Sequence, residues 1–284
     1  MPGLRIYNNV YSMNAQRYLG SAGSRMAGDI ERLSSGLRIN SGKDDAAGLA
    51  ISENLRSDVR SYEQALRNTS DSISVLNIAE GSMNLMTGNL TRMRELAIQA
   101  ANFTVGSAQR ASINQEYQNM KDEIDRVSLV TNFNGQLLLD GSMGSSATTN
   151  LVIQADIDNN PQSQINLNSY INLTNMDVSG LNVSTTNVLT ANSAASALSF
   201  IDSAINYVTG KRGELGAVQN RLEKTISNLE VSIENTQAAD SRLRDADMAK
   251  EISKFTRDQI LMQTGTSMVA QANQIPQTVL KLLQ

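Results

Sequence analysis

Apolar residues recur at Leu55, Val59, Tyr62, Leu66, Thr69, Ile73, Leu76, Glu80, Met83, Thr87 and Leu90, in alternating steps of four and three. That spacing, held for about five repeats, is the seam of a coiled coil. Three polar members, Thr69, Glu80 and Thr87, interrupt the chemistry without breaking the phase. It predicts a helix over about 46–101, roughly 80 Å long at ~1.5 Å per residue. Beyond Gly106 the step resumes at Ile113, Tyr117, Met120, Ile124 and Val127. Ser107 is the expected N-cap of this second helix. Lys121 with Asp125, and Asp122 with Arg126, are expected to pair on its wet face. A third seam runs Leu198, Ile201, Ile205, Val208, Arg212, Leu215, Gln219, Leu222, Ile226, Leu229, Ile233, Thr236, Asp240 and Leu243. Long seams are sticky when alone, so the simplest arrangement buries one half against the other as an antiparallel bundle.

The middle of the chain breaks this rhythm. From Thr131, "TNFNGQLLLDGSMGSSATTN" is dense in turn formers. Ile165, Leu167, Ile171 and Leu173 then fall at even spacing, predicting short strands within about 137–188. The fold class is therefore mainly α: a long antiparallel helical coiled-coil bundle with a small central β-hairpin region. Both ends carry further helical spacing, at Leu19, Met26, Ile30 and Leu33 and at Met248, Ile252, Phe255, Met262 and Val269. These amphipathic ends are expected to pair with each other or with further copies, so their apolar members are the candidate polymerisation seams. The prolines, Pro2, Pro161 and Pro276, leave the intervening stretches open to long helices.

Composition removes most chemistry. Histidine and cysteine are both absent, which excludes thiolate nucleophiles, disulfides, the usual neutral-pH general base and most zinc or copper sites. The net charge of −4, with scattered cations, offers no basic stripe for nucleic acid. No apolar run approaches the ~20 residues of a membrane span, and the N-terminus lacks a secretory core. The chain reads as cytoplasmic or as exported by a route that uses no such signal. Aromatics are only 4%, which suits thin helix-on-helix seams better than a thick core.

Local motifs fail the same test. Asp156, Asp158 and Asn160 begin like a calcium loop, but Pro161 stands where glycine must turn and Leu167 where a bidentate acid must bind. Asp44 and Asp45 point about 100° apart on a helix and cannot share a proton site; acids there complement a helix start, with Ser41 or Asp44 as cap. Ser41-Gly42-Lys43 lacks the Ser-x-x-Lys spacing, and no phosphate loop is present. Methionines at helical spacing are seam fillers. No enzyme, cofactor or metal is expected.

"RLSSGLRINSGKDDAAGLAIS" (32–52) resembles the N-terminal signature of bacterial flagellins, and "DSRLRDADMAKEISKFTRDQILMQTGTSMVAQANQIPQTVLKLLQ" (240–284) their C-terminal signature. "LTRMRELAIQAAN", "EIDRVSLVTNFNGQLLLDG" and "GELGAVQNRLEKTISNL" match in the family's order. The resemblance covers about 1–142 and 196–284. It implies a non-enzymatic subunit that self-polymerises into the extracellular flagellar filament used for motility. Residues 1–43 and 246–284 would form an inner terminal coiled-coil domain and 44–245 a rod with connectors. Gly36, Gly42, Lys43, Asp44 and Asp45 would make the joint. About fifty residues separate the matched blocks, so this would be a short type with little or no inserted outer domain. Tyr7-Asn8-Asn9 stands where the family usually reads Asn-Thr-Asn.

The resemblance also implies partners: type III export with a chaperone on about 248–283, cap and junction proteins, and a Toll-like receptor of animals. "TRMRELAIQ" (91–99) resembles the receptor-recognised segment, with Arg92, Leu96 and, in the next helix, Glu116 at matching positions; Thr91 replaces the usual Gln. Two alternatives remain at this stage, a hook–filament junction protein and a secreted adhesin-like binding protein with its chemistry in 143–195.

Overall fold

The computed structural model describes residues 8–144 and 151–282, with side chains up to residue 274. Three-quarters of the chain is helical. The elements in order are α1 (Val10–Ser35), α2 (Ala46–Ala101), α3 (Ser107–Val130), β1 (Asn132–Phe133), β2 (Gln136–Leu137), β3 (Val152–Gln154), β4 (Gln164–Asn166), α4 (Leu167–Ile171), α5 (Ala191–Arg244) and α6 (Met248–Leu282). They form two compact units, a terminal one of residues 1–57 and 235–284 and a central one of 58–234. Both boundaries fall inside α2 and α5 rather than at the connectors.

In the central unit, α2 and α5 lie antiparallel. Arg94 bonds Asp202 at 2.6 Å, Gln219 reaches Asn77 at 3.0 Å, and Arg212 stands 3.5 Å from Glu80. Alternate members of each predicted seam lie on the buried line, Thr69, Leu76, Met83 and Leu90 on α2 and Ile201, Val208, Leu215 and Leu222 on α5, while the members between them are displaced by one residue. On α2 the buried line is Ala65, Thr69, Ser72, Leu76, Ala79, Met83, Met86, Leu90, Met93 and Ala97. On α5 it is Ala194, Ala197, Ile201, Ala204, Val208, Leu215, Val218 and Leu222. Glu80, Thr87, Arg212 and Gln219, predicted as seam members, flank it, and Glu80 meets Arg212 and Gln219 at its edge. The reason is local: the neighbouring residues Ala79, Met86 and Val218 bury without desolvating a charge, and alanines let the backbones approach closely. Ile73, Leu198 and Ile205 pack against the core from the side.

α3 departs furthest from expectation. It starts after Gly106, which caps with backbone alone, so Ser107 is not the side-chain cap. Its supposed wet face is a template for the strandless segment that returns past it. Asn114 accepts from Val188 N (3.1 Å), Tyr117 Oη meets Thr186 Oγ1 (2.6 Å), and Asp125 accepts from Val178 N (2.7 Å). Lys121 is buried and donates to the carbonyls of Ser184 (2.6 Å) and Thr186 (3.3 Å). The Lys121–Asp125 and Asp122–Arg126 pairs therefore do not form; Arg126 pairs with Glu123 at 2.6 Å. Burial pulls the Lys121 ammonium below its usual pKa, a cost partly offset by Asp122 and Asp125. Lys121→Met keeps the stem but orphans two carbonyls, so it should destabilise the central unit by about 2–3 kcal/mol, read as a lower urea midpoint at unchanged slope.

Two hairpins stand in the middle of the chain. β1 and β2 join through Asn134 (φ 51°) and Gly135 (φ 81°), the left-handed pair that a two-residue hairpin turn requires. β3 pairs antiparallel with β4, Ile153 opposite Ile165. The predicted strand through Ile165, Leu167, Ile171 and Leu173 ends at Asn166. There the Asn166 side chain accepts from Ser169 N (3.4 Å) and starts the helical turn α4, so Leu167 and Ile171 bury at helical spacing.

In the terminal unit α1 and α6 run antiparallel. Ser12 Oγ donates to Asn273 Oδ1 (2.7 Å) near one end, and Arg25 pairs with Asp258 (3.2 Å) towards the other. Asn9 caps α1 by accepting from Ser12 N (3.1 Å) and also donates to the Ala272 carbonyl (2.8 Å). Gly36, at φ 73°, closes α1 in the left-handed cap conformation that glycine adopts without strain. α6 runs on past Pro276, which does not end it. Among the described residues no helix is long and apolar enough to cross a membrane.

Candidate assembly surfaces and the joint

The seam between α1 and α6 keeps the four-three step. Ser12, Ala15, Leu19, Ala22, Met26, Asp29 and Leu33 face Glu251, Phe255, Asp258, Met262, Gly265, Val269 and Ala272, all buried or half-buried. Leu19 approaches Gly265 closely: a methyl there would come within 3.1 Å of Leu19 Cδ1. Among the residues predicted for this seam, Leu19, Met26, Leu33, Phe255, Met262 and Val269 lie in it. Ile30, Met248 and Ile252 do not; they are 47%, 44% and 52% exposed.

One flank of the seam is an apolar groove of about 450 Å³ lined by Ala15, Tyr18, Leu19, Ala22, Leu261 and Met268. Tyr18 is 72% and Met268 62% exposed. The heptad lines that place Tyr18 and Leu261 here continue to Arg25, Arg32 and Lys254, so the same flank turns basic further along. Beneath those cations the seam itself is acidic, with Asp29, Glu251 and Asp258 buried. Burial pushes the Asp29 carboxyl up, Asp258 and Glu251 push it further, and Lys254 and Arg32 offset only part of this.

The connectors brace each other. Leu37 bridges Asp245, Arg38 N donates to Arg244 O (2.7 Å), and Ala246 N donates to Gly36 O (2.9 Å). The Arg38 guanidinium adds a bond to Leu243 O. Asp45, rather than Ser41 or Asp44, caps α2 by accepting from Gly48 N (2.9 Å). Asp44 instead ties the turn, accepting from the amide and hydroxyl of Ser41 (both 3.0 Å); the hydroxyl bond holds its carboxyl below the usual range. Lys43 is exposed 3.6 Å from Glu31, and Gly42 sits in open space. Sequence reasoning found these residues but missed Arg38 and Arg244, whose partners are backbone or distant in sequence. Arg244 lies 3.2 Å from Glu53.

In the central unit Arg92 is exposed and bridges Glu95 and Glu116, both at 2.8 Å. Leu96 is 1% exposed in the core. It therefore drops out of the surface contact set, because a partner could touch it only after the helix unpacked. Among the described residues no group of three metal-ligating side chains gathers.

Residues 6–144 match the bacterial flagellin N-terminal helical region and 198–283 the C-terminal helical region. A flagellin of Halalkalibacterium halodurans is 43% identical over 98% of this chain and 99% of its own. This chain belongs to the bacterial flagellin family. A flagellin of Bacillus subtilis is 42% identical over 99% of this chain and all of its own length. The solved structure of a proposed flagellar hook-associated protein from Vibrio parahaemolyticus shares the fold, at TM-score 0.57 and 16% identity, covering 71% of this chain and 100% of that one. This flagellin is a structural, self-polymerising subunit of the extracellular flagellar filament, of the short type with no inserted domain, and not an enzyme.

Proposed function

We propose that copies of this flagellin join through the apolar flank of the α1–α6 pair, while the exposed faces of the central unit make lateral contacts. The observation that carries this is the groove of Tyr18, Leu261 and Met268, left uncovered in a single copy. Exposed apolar surface of this kind beside a long seam marks an association site. A head-to-tail contact that does not close on itself yields a helical filament. Residues 1–43 and 246–284 serve as the inner domain, 44–245 as the rod, and the paired connectors as a braced joint. Seeded growth followed by sedimentation tests the reading: full-length protein should pass into the pellet, and protein that stays in the supernatant under all seeding conditions contradicts it.

Further partners follow from the same reading. A chaperone would cover about 248–283 before export, and cap and junction proteins would meet the polymer's ends. An animal Toll-like receptor would meet the monomer at Arg92, which is exposed, and Glu116, which is half-buried and paired with it. Monomer should activate a receptor reporter cell line, and Arg92→Ala should weaken the response at least tenfold, as loss of a central charged contact does. Equal potency of the variant would remove this partner.

A further inference from the structure

The sequence holds one Asn-Gly pair, Asn134-Gly135, and Asn-Ser pairs at 40–41, 168–169 and 192–193. An asparagine followed by a small residue is open to attack on its own carboxamide by the next backbone nitrogen. In each Asn-Ser pair that nitrogen is engaged. Ser41 N donates to Asp44 Oδ2 (3.0 Å), Ser169 N to Asn166 Oδ1 (3.4 Å) and Ser193 N to Thr190 Oγ1 (3.1 Å). The carboxamides of Asn40 and Asn168 are held as well, donating to Ser35 Oγ (2.9 Å) and to Gly144 O (3.2 Å). Nothing of the kind guards the Asn-Gly pair. Both residues are exposed, and among the described residues neither the Gly135 amide nor the Asn134 carboxamide has a hydrogen-bond partner. Open space stands where a Gly135 Cβ would be, so the approach to its nitrogen is unhindered. Strands β1 and β2 that flank the turn are two residues each, and beyond them Leu138 N donates to Thr131 O (3.1 Å). A ladder that short is marginal, so the turn can open far enough for attack.

We propose that Asn134 is a modification site, at which the folded chain deamidates by itself, with water as co-reactant, to aspartate and isoaspartate. The Gly135 nitrogen gives up its proton to solvent base and attacks Asn134 Cγ. The N–Cγ bond forms, the Cγ–Nδ2 bond breaks, and ammonia leaves after taking up a proton, which closes a succinimide ring. Water then adds to either ring carbonyl and breaks its bond to the ring nitrogen, which is reprotonated. Nothing is oxidised or reduced; one water is consumed and one ammonia released. In isoaspartate the main chain runs through Cβ and Cγ and is one methylene longer, so a two-residue turn no longer sets Phe133 opposite Gln136. Either product also places a carboxylate beside the exposed Phe133. The turn is thus a chemical clock: older chains carry a loosened hairpin and an added negative charge. The inference concerns one copy and stands whether or not copies polymerise.

Full-length protein held in mildly alkaline buffer, folded and in urea side by side, tests this by intact mass and by fragmentation that locates the change. In the folded protein the exchange of an NH for an oxygen should accumulate at residue 134 several-fold faster than at Asn40, Asn168 or Asn192. Asn134→Gln, whose longer side chain closes a ring less readily, should lose the change at that position. Amide hydrogen exchange at Leu138 should be faster in aged than in fresh protein, whereas freshly prepared Asn134→Asp should keep the native protection. Modification at residue 134 that is no faster than at the Asn-Ser sites, or that occurs only in urea, overturns the proposal. Equal protection of the hairpin in aged, modified protein and in fresh protein overturns the clock.

Discussion

Met86→Asp should unfold the central unit, whereas Thr87→Asp, one residue along, should be tolerated. Met86 is fully buried on the seam line of α2. An aspartate there removes a large apolar side chain and buries a charge with no partner, at a cost of about 3–5 kcal/mol. That is a large share of the 5–15 kcal/mol that holds a typical domain. Thr87 flanks the seam, half-buried, and its hydroxyl merely bonds back to the Met83 carbonyl (2.9 Å). Aspartate at that position should cost about 1 kcal/mol, mainly in helix propensity. Urea denaturation followed by circular dichroism separates the two. The spacing read from the sequence gives the opposite ranking, since it places Thr87 in the seam and Met86 outside it; a larger loss at Thr87 than at Met86 would restore that phase.

The second large effect is on assembly. Tyr18→Ser, Leu261→Ser and Met268→Ser together should abolish polymerisation while leaving the terminal helices paired. All three side chains are exposed in the single copy, so their loss costs the fold little. Covering each in a contact with another copy would contribute about 1.5–3 kcal/mol. Losing all three should raise the concentration needed for assembly by about three to six orders of magnitude, at 1.4 kcal/mol per tenfold. Sedimentation of the triple variant should leave it in the supernatant, with helix content unchanged by circular dichroism. Normal pelleting would show that this groove faces solvent or lumen and is not a contact.

How far the sequence reveals the molecule depends on which residues carry each feature. The long helices were legible because the four-three step survives a few polar members, and the length of α2 was read from spacing alone. Only every second member of the seams was. Between the shared members, the more apolar Ile73, Leu198 and Ile205 draw the reading one position away from Ser72, Ala197 and Ala204, which are the residues that bury. The role of α3 was hidden for a different reason. Lys121 and Asp125 read as a solvated pair and Tyr117 as a seam member, and only the strandless segment packed on them and on Asn114 reveals their hydrogen bonds. The α4 turn was misread because even spacing over a few residues fits strand and helix alike, and the Asn166 cap decides between them. At the joint, Asp44 and Asp45 were found by their place beside glycines, but which of them caps α2 depended on geometry. Family signatures carried the function, since a surface built for copies of itself holds no catalytic motif to find.

The central claim is that the paired terminal helices drive assembly. Its most direct test is electron microscopy of seeded full-length protein beside a copy lacking residues 1–35 and 250–284. Filaments from the full chain alone, with the truncated copy folded and dispersed, are the expected result. Filaments of equal length and number from the truncated copy would move assembly to the central unit and contradict the account.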